Sequence, residues 1–312
     1  MILVTGQSGF VGGAVVSSLA DRGRPHRGVS RRPVDGTESG NSVCVSSIDD
    51  RTVWDDHLNG VETVIHCAAR VHQMGDAPDV IDPYRLVNTN GTLRLAEAAS
   101  SAGVRRFVFV SSIKVSGDET SEGNPFGPDT PSRPTDGYGR SKAEAEDGLR
   151  ELSARTGLEV VIVRPPLVYG PGARGNIERL IRLVDRRVPL PFGAIANRRS
   201  LVGLHNLVEL LICCAGHPEA PGATFVAGDD GAVSTPTILR TLAAASGRRA
   251  LLVPVPPVVL RVGLRSIGRE GMYRRLASNL EVDSSLCRDR LGWRPLDSIE
   301  TSIRSAVTHR AG

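Results

Sequence analysis

Ile2-Leu-Val-Thr-Gly6-Gln-Ser-Gly9-Phe-Val-Gly12 opens the chain as an apolar run ending in spaced glycines, and Ala14-Val-Val-Ser-Ser-Leu-Ala follows with helical spacing. The order predicts strand, tight turn and helix. Glycines here let the backbone approach a diphosphate closely, and the free N–H groups and dipole of a helix start favour its negative charge. The G-x-x-G-x-x-G spacing alone would equally serve a turn that needs positive φ; its place between a strand and a helix gives it weight.

Reading outward, Arg27-Gly-Val-Ser30 predicts a second strand ending in Ser30-Arg31-Arg32. A carboxylate there would accept hydrogen bonds from an NAD ribose, whereas Ser and Arg can embrace a 2′-phosphate, so the cofactor is NAD or NADP with a lean to NADP. Val43-Cys-Val is a third strand, and Glu62 to Ala69 reads as a buried parallel strand whose last residues, Ala68 and Ala69, are small enough for close cofactor contact. A helix is predicted from Asn88, then strands over Arg106–Ser112 and Leu158–Val163. Alternating strands and helices define an α/β protein with a doubly wound, parallel Rossmann sheet. Residues 1–170 are expected to form that NAD(P)-binding unit, with a return segment near 200–228. Residues 171–312 are expected to be mainly a smaller C-terminal substrate-binding lobe, with helices at Asn176–Val184, Leu207–Ala215 and Pro236–Ala245.

Composition narrows the function. The net charge of +4 suits an anionic small molecule, but the arginines are scattered and aromatics are only 4%, so no nucleic-acid surface is expected. Five cysteines without a CxxC pair or ligand spacing predict reduced thiols and no metal site. The chain begins in strand rather than in a cleavable apolar segment, so a cytoplasmic protein is expected. Leu251 to Leu264 is cut by Pro254, Pro256 and Pro257 and contains Arg261, too short and broken to span a bilayer. It predicts a packed helix and leaves a membrane-surface role open.

Tyr138-Gly-Arg-Ser-Lys142 is where chemistry is expected. Lys114 and Lys142 are the only lysines in an arginine-rich chain, which marks sites where a compact, titratable ammonium matters. Tyr138 and Lys142 stand four apart at the head of a helical stretch and so share a face. Bringing a phenol from about 10 to near 7 needs roughly 4 kcal/mol, within reach of a close fixed cation.

Thr5-Gly6-x-x-Gly9-Phe-Val-Gly12, His66-x-Ala-Ala69, Ser111-Ser112, Tyr138-x-x-x-Lys142, Arg164-Pro-x-x-Val-Tyr-Gly-Pro and the closing Leu-Gly-Trp-x-Pro together resemble the extended short-chain dehydrogenase/reductase family. Within it, the chain resembles the NAD(P)-dependent epimerase/dehydratase group that acts on nucleotide sugars. Ala-Ala-Arg-Val-His72, Ser-Ser-Ile-Lys114-Val and Arg-Arg-Ser200-Leu-Val are similar to a surface-polysaccharide branch holding UDP-4-keto-6-deoxy-HexNAc reductases and UDP-glucose 4-epimerases.

That resemblance implies Tyr138 as acid/base, Lys142 as the residue that binds the nicotinamide ribose and lowers the Tyr pKa, and Ser112 as the hydroxyl holding the substrate oxygen. It implies Gly6, Gly9, Phe10, Val11 and Gly12 as the pyrophosphate loop, and Ala68, Ala69, Pro165 and Val168 as cofactor wall. Asn176 and Arg199 are implied as contacts to the diphosphate of the substrate, a nucleotide sugar that is UDP-linked. Lys114 has no fixed role in the family; its place two residues past Ser112, and that of His72 in a loop expected to face the sugar, make both candidate substrate contacts, with plain surface residues as the alternative. A homodimer is implied too, through helices starting near Tyr84 and Tyr138. Three departures stand out: Ser116 replaces a Tyr, Ser47 replaces an Asp near the adenine, and Ser30 replaces the Asp of NAD-specific relatives. Ile113 and Lys114 occupy the place of the Asp-Glu pair of dehydratases, so the expected reaction is reduction of a 4-keto sugar, with 4-epimerisation as the alternative. A non-catalytic, cofactor-sensing regulator is the rival outside enzymes, and retention of Ser112, Tyr138 and Lys142 speaks against it.

Overall fold

The computed structural model describes residues 1–33, 41–71, 81–173, 176–266 and 268–308. Its strands are β1 (Ile2–Thr5), β2 (His26–Ser30), β3 (Ser42–Cys44), β4 (Thr63–His66), β5 (Arg106–Val110), β6 (Glu159–Arg164), β7 (Leu167–Tyr169), β8 (Leu201–Gly203) and β9 (Thr224–Val226). Seven of them form one sheet in the order β3-β2-β1-β4-β5-β6-β9, and every neighbouring pair is parallel. The order reverses between β1 and β4, the topological switch point where ligands of such sheets bind beyond the carboxyl ends of the strands. Register brings Thr5 opposite His66 and His66 opposite Phe109, so the functional ends of β1, β4 and β5 lie on one edge.

The helices are α1 (Phe10–Asp21), α2 (Asp82–Tyr84), α3 (Gly91–Ser101), α4 (Gly137–Thr156), α5 (Asn176–Asp185), α6 (Leu204–Gly216), α7 (Thr235–Ala245), α8 (Pro257–Ser266), α9 (Glu270–Ala277), α10 (Ser285–Leu291) and α11 (Ile299–Thr308). The inner strands β4 and β5 are buried along their whole length, which is why they read as unbroken apolar runs rather than alternating ones. One face of the sheet packs Val15 and Leu19 of α1 with Leu207 and Leu211 of α6; the other packs Leu95 of α3 with Leu149 of α4. A separate cluster, including Ile177, Ile181, Leu239, Leu242, Leu260 and Ile303, forms the core of the C-terminal lobe.

One stretch differs from the sequence expectation. The helix predicted from Asn88 is preceded by a π-helical segment over Arg85–Asn90. There the buried Asn88 accepts from Arg70 N at 2.8 Å and donates to Arg70 O at 3.1 Å and Ser141 Oγ at 3.0 Å, bonds that hold the wider turn. The late segment 201–226 supplies β8, which pairs with β7, and β9, which closes the edge of the main sheet beside β6. Among the described residues, no helix is long and apolar enough to cross a membrane.

Candidate active site

The first turn after β1 is pinned across the sheet: the backbone N–H groups of Gly6 and Gln7 both donate to Val29 O, at 2.9 and 3.1 Å. Gly6 has φ +77°, and a Cβ on Gly12 would lie 2.3 Å from the Gly6 carbonyl oxygen, so the turn and the helix start close upon each other only as glycines. No side chain caps α1 and no acidic residue sits in its first turn, which leaves the N–H groups of Phe10, Val11 and Gly12 outside the helix's own ladder. Ala68, buried, donates its N–H to Thr5 Oγ1 at 3.2 Å and closes against Gly6, with the half-buried Ala69 beyond it. These residues fit the diphosphate of a dinucleotide: donors free, carboxylates absent from the first turn, side chains small.

At the end of β2, Ser30 is 2% exposed. Its hydroxyl donates to Arg32 O at 2.6 Å and receives Gln7 Nε2 at 3.1 Å. Arg31 and Arg32 are exposed. Ser30 is therefore committed inside the protein, and any grip on a 2′-phosphate falls to the two guanidinium groups.

Beyond β5 the extended backbone sends successive hydroxyls to opposite sides. Ser111 Oγ donates to Glu146 Oε1 at 2.6 Å, while Ser112 Oγ accepts Lys114 N–H at 3.3 Å and lies near enough to the Tyr138 phenol to favour its ionised form. Burial of its hydroxyl pushes Tyr138 up to about 12; the Ser112 hydroxyl opposes the rise, Asp136 adds to it and Lys114 opposes it. Lys142 Nζ donates to Val110 O at 2.8 Å and lies 4.4 Å from the centre of the Phe109 ring. Burial pushes this ammonium down to about 7 against the pull of Cys67 and Glu146. Tyr138 and Lys142 thus share the inner end of α4 as expected, but in this structure the lysine whose charge favours the phenolate is Lys114.

Lys114 Nζ is held between Asp118 Oδ1 at 2.8 Å and Asp136 Oδ2 at 2.7 Å, not free in the cleft. Arg199, whose Nη1 donates to Ser278 O at 3.1 Å, lies close enough to Asp118 to lower its pKa, so Arg199, Asp118, Lys114 and Asp136 form a charged row leading to Tyr138. Pro165 accepts Ile113 N–H at 3.0 Å, and Val168, on β7, packs partly buried against the sheet core. His72 and the side chain of Asn176 lie outside the described residues; the backbone of Asn176 begins α5.

Sequence reasoning missed the supports. Asp136 Oδ1 accepts Gly139 N–H at 2.7 Å and caps the helix that carries Tyr138, a role that an Asp just before a helical stretch signals locally. Glu146 binds Arg164 at 2.6 Å in a buried pair, and Arg164 Nη1 reaches Ser116 Oγ at 3.4 Å, so the serine found in place of the usual Tyr sits beside that pair. His66 joins Thr5 Oγ1 at 2.7 Å to Thr92 Oγ1 at 3.0 Å, tying the glycine turn to α3. No cluster able to hold a metal occurs among the described residues.

A glycine turn between β1 and α1 at the switch point, with Ser112 beyond β5 and Tyr138 and Lys142 in the first turns of α4, is the arrangement of a protein of the short-chain dehydrogenase/reductase type. The chain belongs to the NAD dependent epimerase/dehydratase family, whose model matches residues 2–228. It is 39% identical over 308 residues to a UDP-glucose 4-epimerase of Vibrio cholerae, covering 98% of this chain and 94% of that protein. Among solved structures it is similar to a short-chain dehydrogenase/reductase superfamily protein from Agrobacterium tumefaciens with bound NAD, at 27% identity, TM-score 0.77 and coverage of 100% and 97% of the two chains. It is also similar to MoeE5 in complex with UDP-glucuronic acid and NAD, at 26% identity, TM-score 0.78 and coverage of 99% and 98%.

Proposed function

We propose that the chain transfers hydride at C4 of a UDP-linked sugar, working in the reducing direction on a 4-keto sugar. The observation that carries this reading is the placing of Ser112 beside Tyr138, near enough to act on its ionisation, with burial holding the phenol protonated through neutral pH. A protonated Tyr138 delivers a proton to a carbonyl oxygen as that oxygen is reduced, and Ser112 holds the same oxygen in place. Lys142, buried one helical turn on, presents an ammonium that titrates near neutrality at the floor of the site. NAD or NADP, when bound, supplies the hydride. Similarity to MoeE5, a protein solved with UDP-glucuronic acid and NAD, supports the UDP-linked substrate.

The second reading is 4-epimerisation, favoured by the similarity to the Vibrio cholerae protein over almost the whole chain. The two readings use the same residues and differ in cofactor turnover. Incubation with a UDP-4-keto-6-deoxy-HexNAc and either NADH or NADPH is expected to oxidise one cofactor per product formed. Interconversion of UDP-glucose and UDP-galactose, or of their N-acetyl forms, with tightly held NAD⁺ and no net cofactor use would assign the epimerase.

A further inference from the structure

Helix α8 is apolar on two sides. Leu260 and Leu264 point into the core of the C-terminal lobe, each 8% exposed. With 3.6 residues per turn the opposite face carries Val258, Val262 and Arg265, with Val259 beside them. The three valines are 73%, 63% and 59% exposed for Val258, Val262 and Val259. Valine is a poorer helix former than the alanine, lysine or glutamate usual on a wet face, so folding of α8 gives no reason for it. Leu251 and Val253, on the segment leading into the helix, are also exposed.

Charge surrounds this face. Residues 257–276 hold five arginines and one acidic residue, Glu270, so their excess of cations equals the +4 of the entire chain. Arg265 is 73% exposed and Arg261 56%, and Arg269, Arg274 and Arg275 are exposed as well. Glu270 reaches Arg261 at 3.3 Å and Arg265 only at 3.9 Å, which leaves most of the positive charge uncompensated. We propose that α8 and its flanking arginines dock the enzyme on an anionic bilayer surface, the valines entering the interface and the guanidinium groups meeting lipid phosphates. An exposed apolar face rimmed by arginine is the composition that such a surface selects, because buried apolar area and attraction to anionic lipid add. Each basic residue near the membrane contributes roughly fivefold to partitioning. This inference stands apart from the assignment of the reaction.

The full chain is mixed with sucrose-loaded vesicles of phosphatidylcholine alone, or of equal parts phosphatidylcholine and phosphatidylglycerol, and sedimented at low and high salt. Binding is expected on the anionic vesicles only, weakened by salt. Val258→Ala with Val262→Ala, substitutions that favour the helix, is expected to lower partitioning roughly 10-fold or more with thermal stability and turnover on soluble substrate kept. Arg265→Glu with Arg269→Glu is expected to lower it at least as far. Absence of binding, equal binding to neutral vesicles, or full binding by the valine variant overturns the proposal. So does loss of an oligomer by the valine variant in sedimentation without any vesicle binding, which would make this face a contact between copies.

Discussion

Lys114 Nζ stands 2.7 Å from one carboxylate oxygen of Asp136, and the other oxygen of that carboxylate accepts the Gly139 N–H at 2.7 Å. One side chain thus caps the helix that carries Tyr138 and holds the cation whose charge favours the phenolate. Asp136→Ala is expected to cost about 1–2 kcal/mol of stability through the lost cap. Asp136→Asn, which keeps an acceptor for Gly139, should lose clearly less. Denaturant unfolding compares the two, and equal losses would refute the capping role. Lys114→Met, leaving Asp136 to act alone, should move the alkaline limb of the pH–rate profile upward.

Tyr138→Phe removes the proton relay but none of the glycine turn. Turnover is expected to fall by roughly 10²–10⁴ with cofactor affinity largely kept. Turnover near that of the unaltered protein would reject the mechanism.

Gly12→Ala places a methyl group 2.3 Å from the backbone oxygen of Gly6, which cannot yield without opening the turn. Dinucleotide affinity should drop by roughly 10-fold or more, as displaced N–H groups lose the diphosphate. Isothermal titration with NADH checks it; unchanged affinity would show that the diphosphate binds elsewhere.

Lys142 links stability to pH. Buried, it releases its proton at about 7, whereas the unfolded chain holds the same proton to about 10.4. Above pH 7 the unfolded state therefore binds more protons, and this group makes stability rise with pH until the unfolded lysine also titrates. The buried thiols Cys67, Cys214 and Cys287, all pushed up, act in the opposite sense once unfolded thiols ionise above about 8.5. Between about pH 7 and 8.5, the melting temperature of the unaltered protein should gain on that of Lys142→Met. Parallel curves would contradict the depressed lysine.

The π segment after Tyr84 is joined to α4 by the two-pronged contact of Arg85 with Glu144, at 2.8 and 2.6 Å. Both groups are partly exposed, so the two helices present a fixed common surface. A homodimer formed through it is expected, and sedimentation at micromolar concentration tests this; a monomer would count against it.

Much of this architecture was written locally. Ile2 to Gly12 carries its own strand, turn and helix start, because apolar run, glycine spacing and helical periodicity are all short-range features. The same holds for β4 and β5, whose unbroken apolar runs mark burial on both faces. Tyr138 and Lys142 were legible as a pair because four residues is one helical turn.

The sequence alone could not show which charges meet. Lys114 finds Asp118 four residues away but also Asp136 twenty-two residues on, and Arg164 finds Glu146, because chain crossings bring them together and not periodicity. The π segment at Arg85–Asn90 depends on Asn88 bonding Arg70 and Ser141, partners set by packing. Sequence thus determined the sheet, the glycine turn after β1 and the placing of Tyr138 and Lys142 one helical turn apart. Tertiary structure decided the protonation of Tyr138 and Lys142, since burial and opposing charges fix whether a phenol or an ammonium can ionise, and no stretch of sequence carries its own solvent exposure.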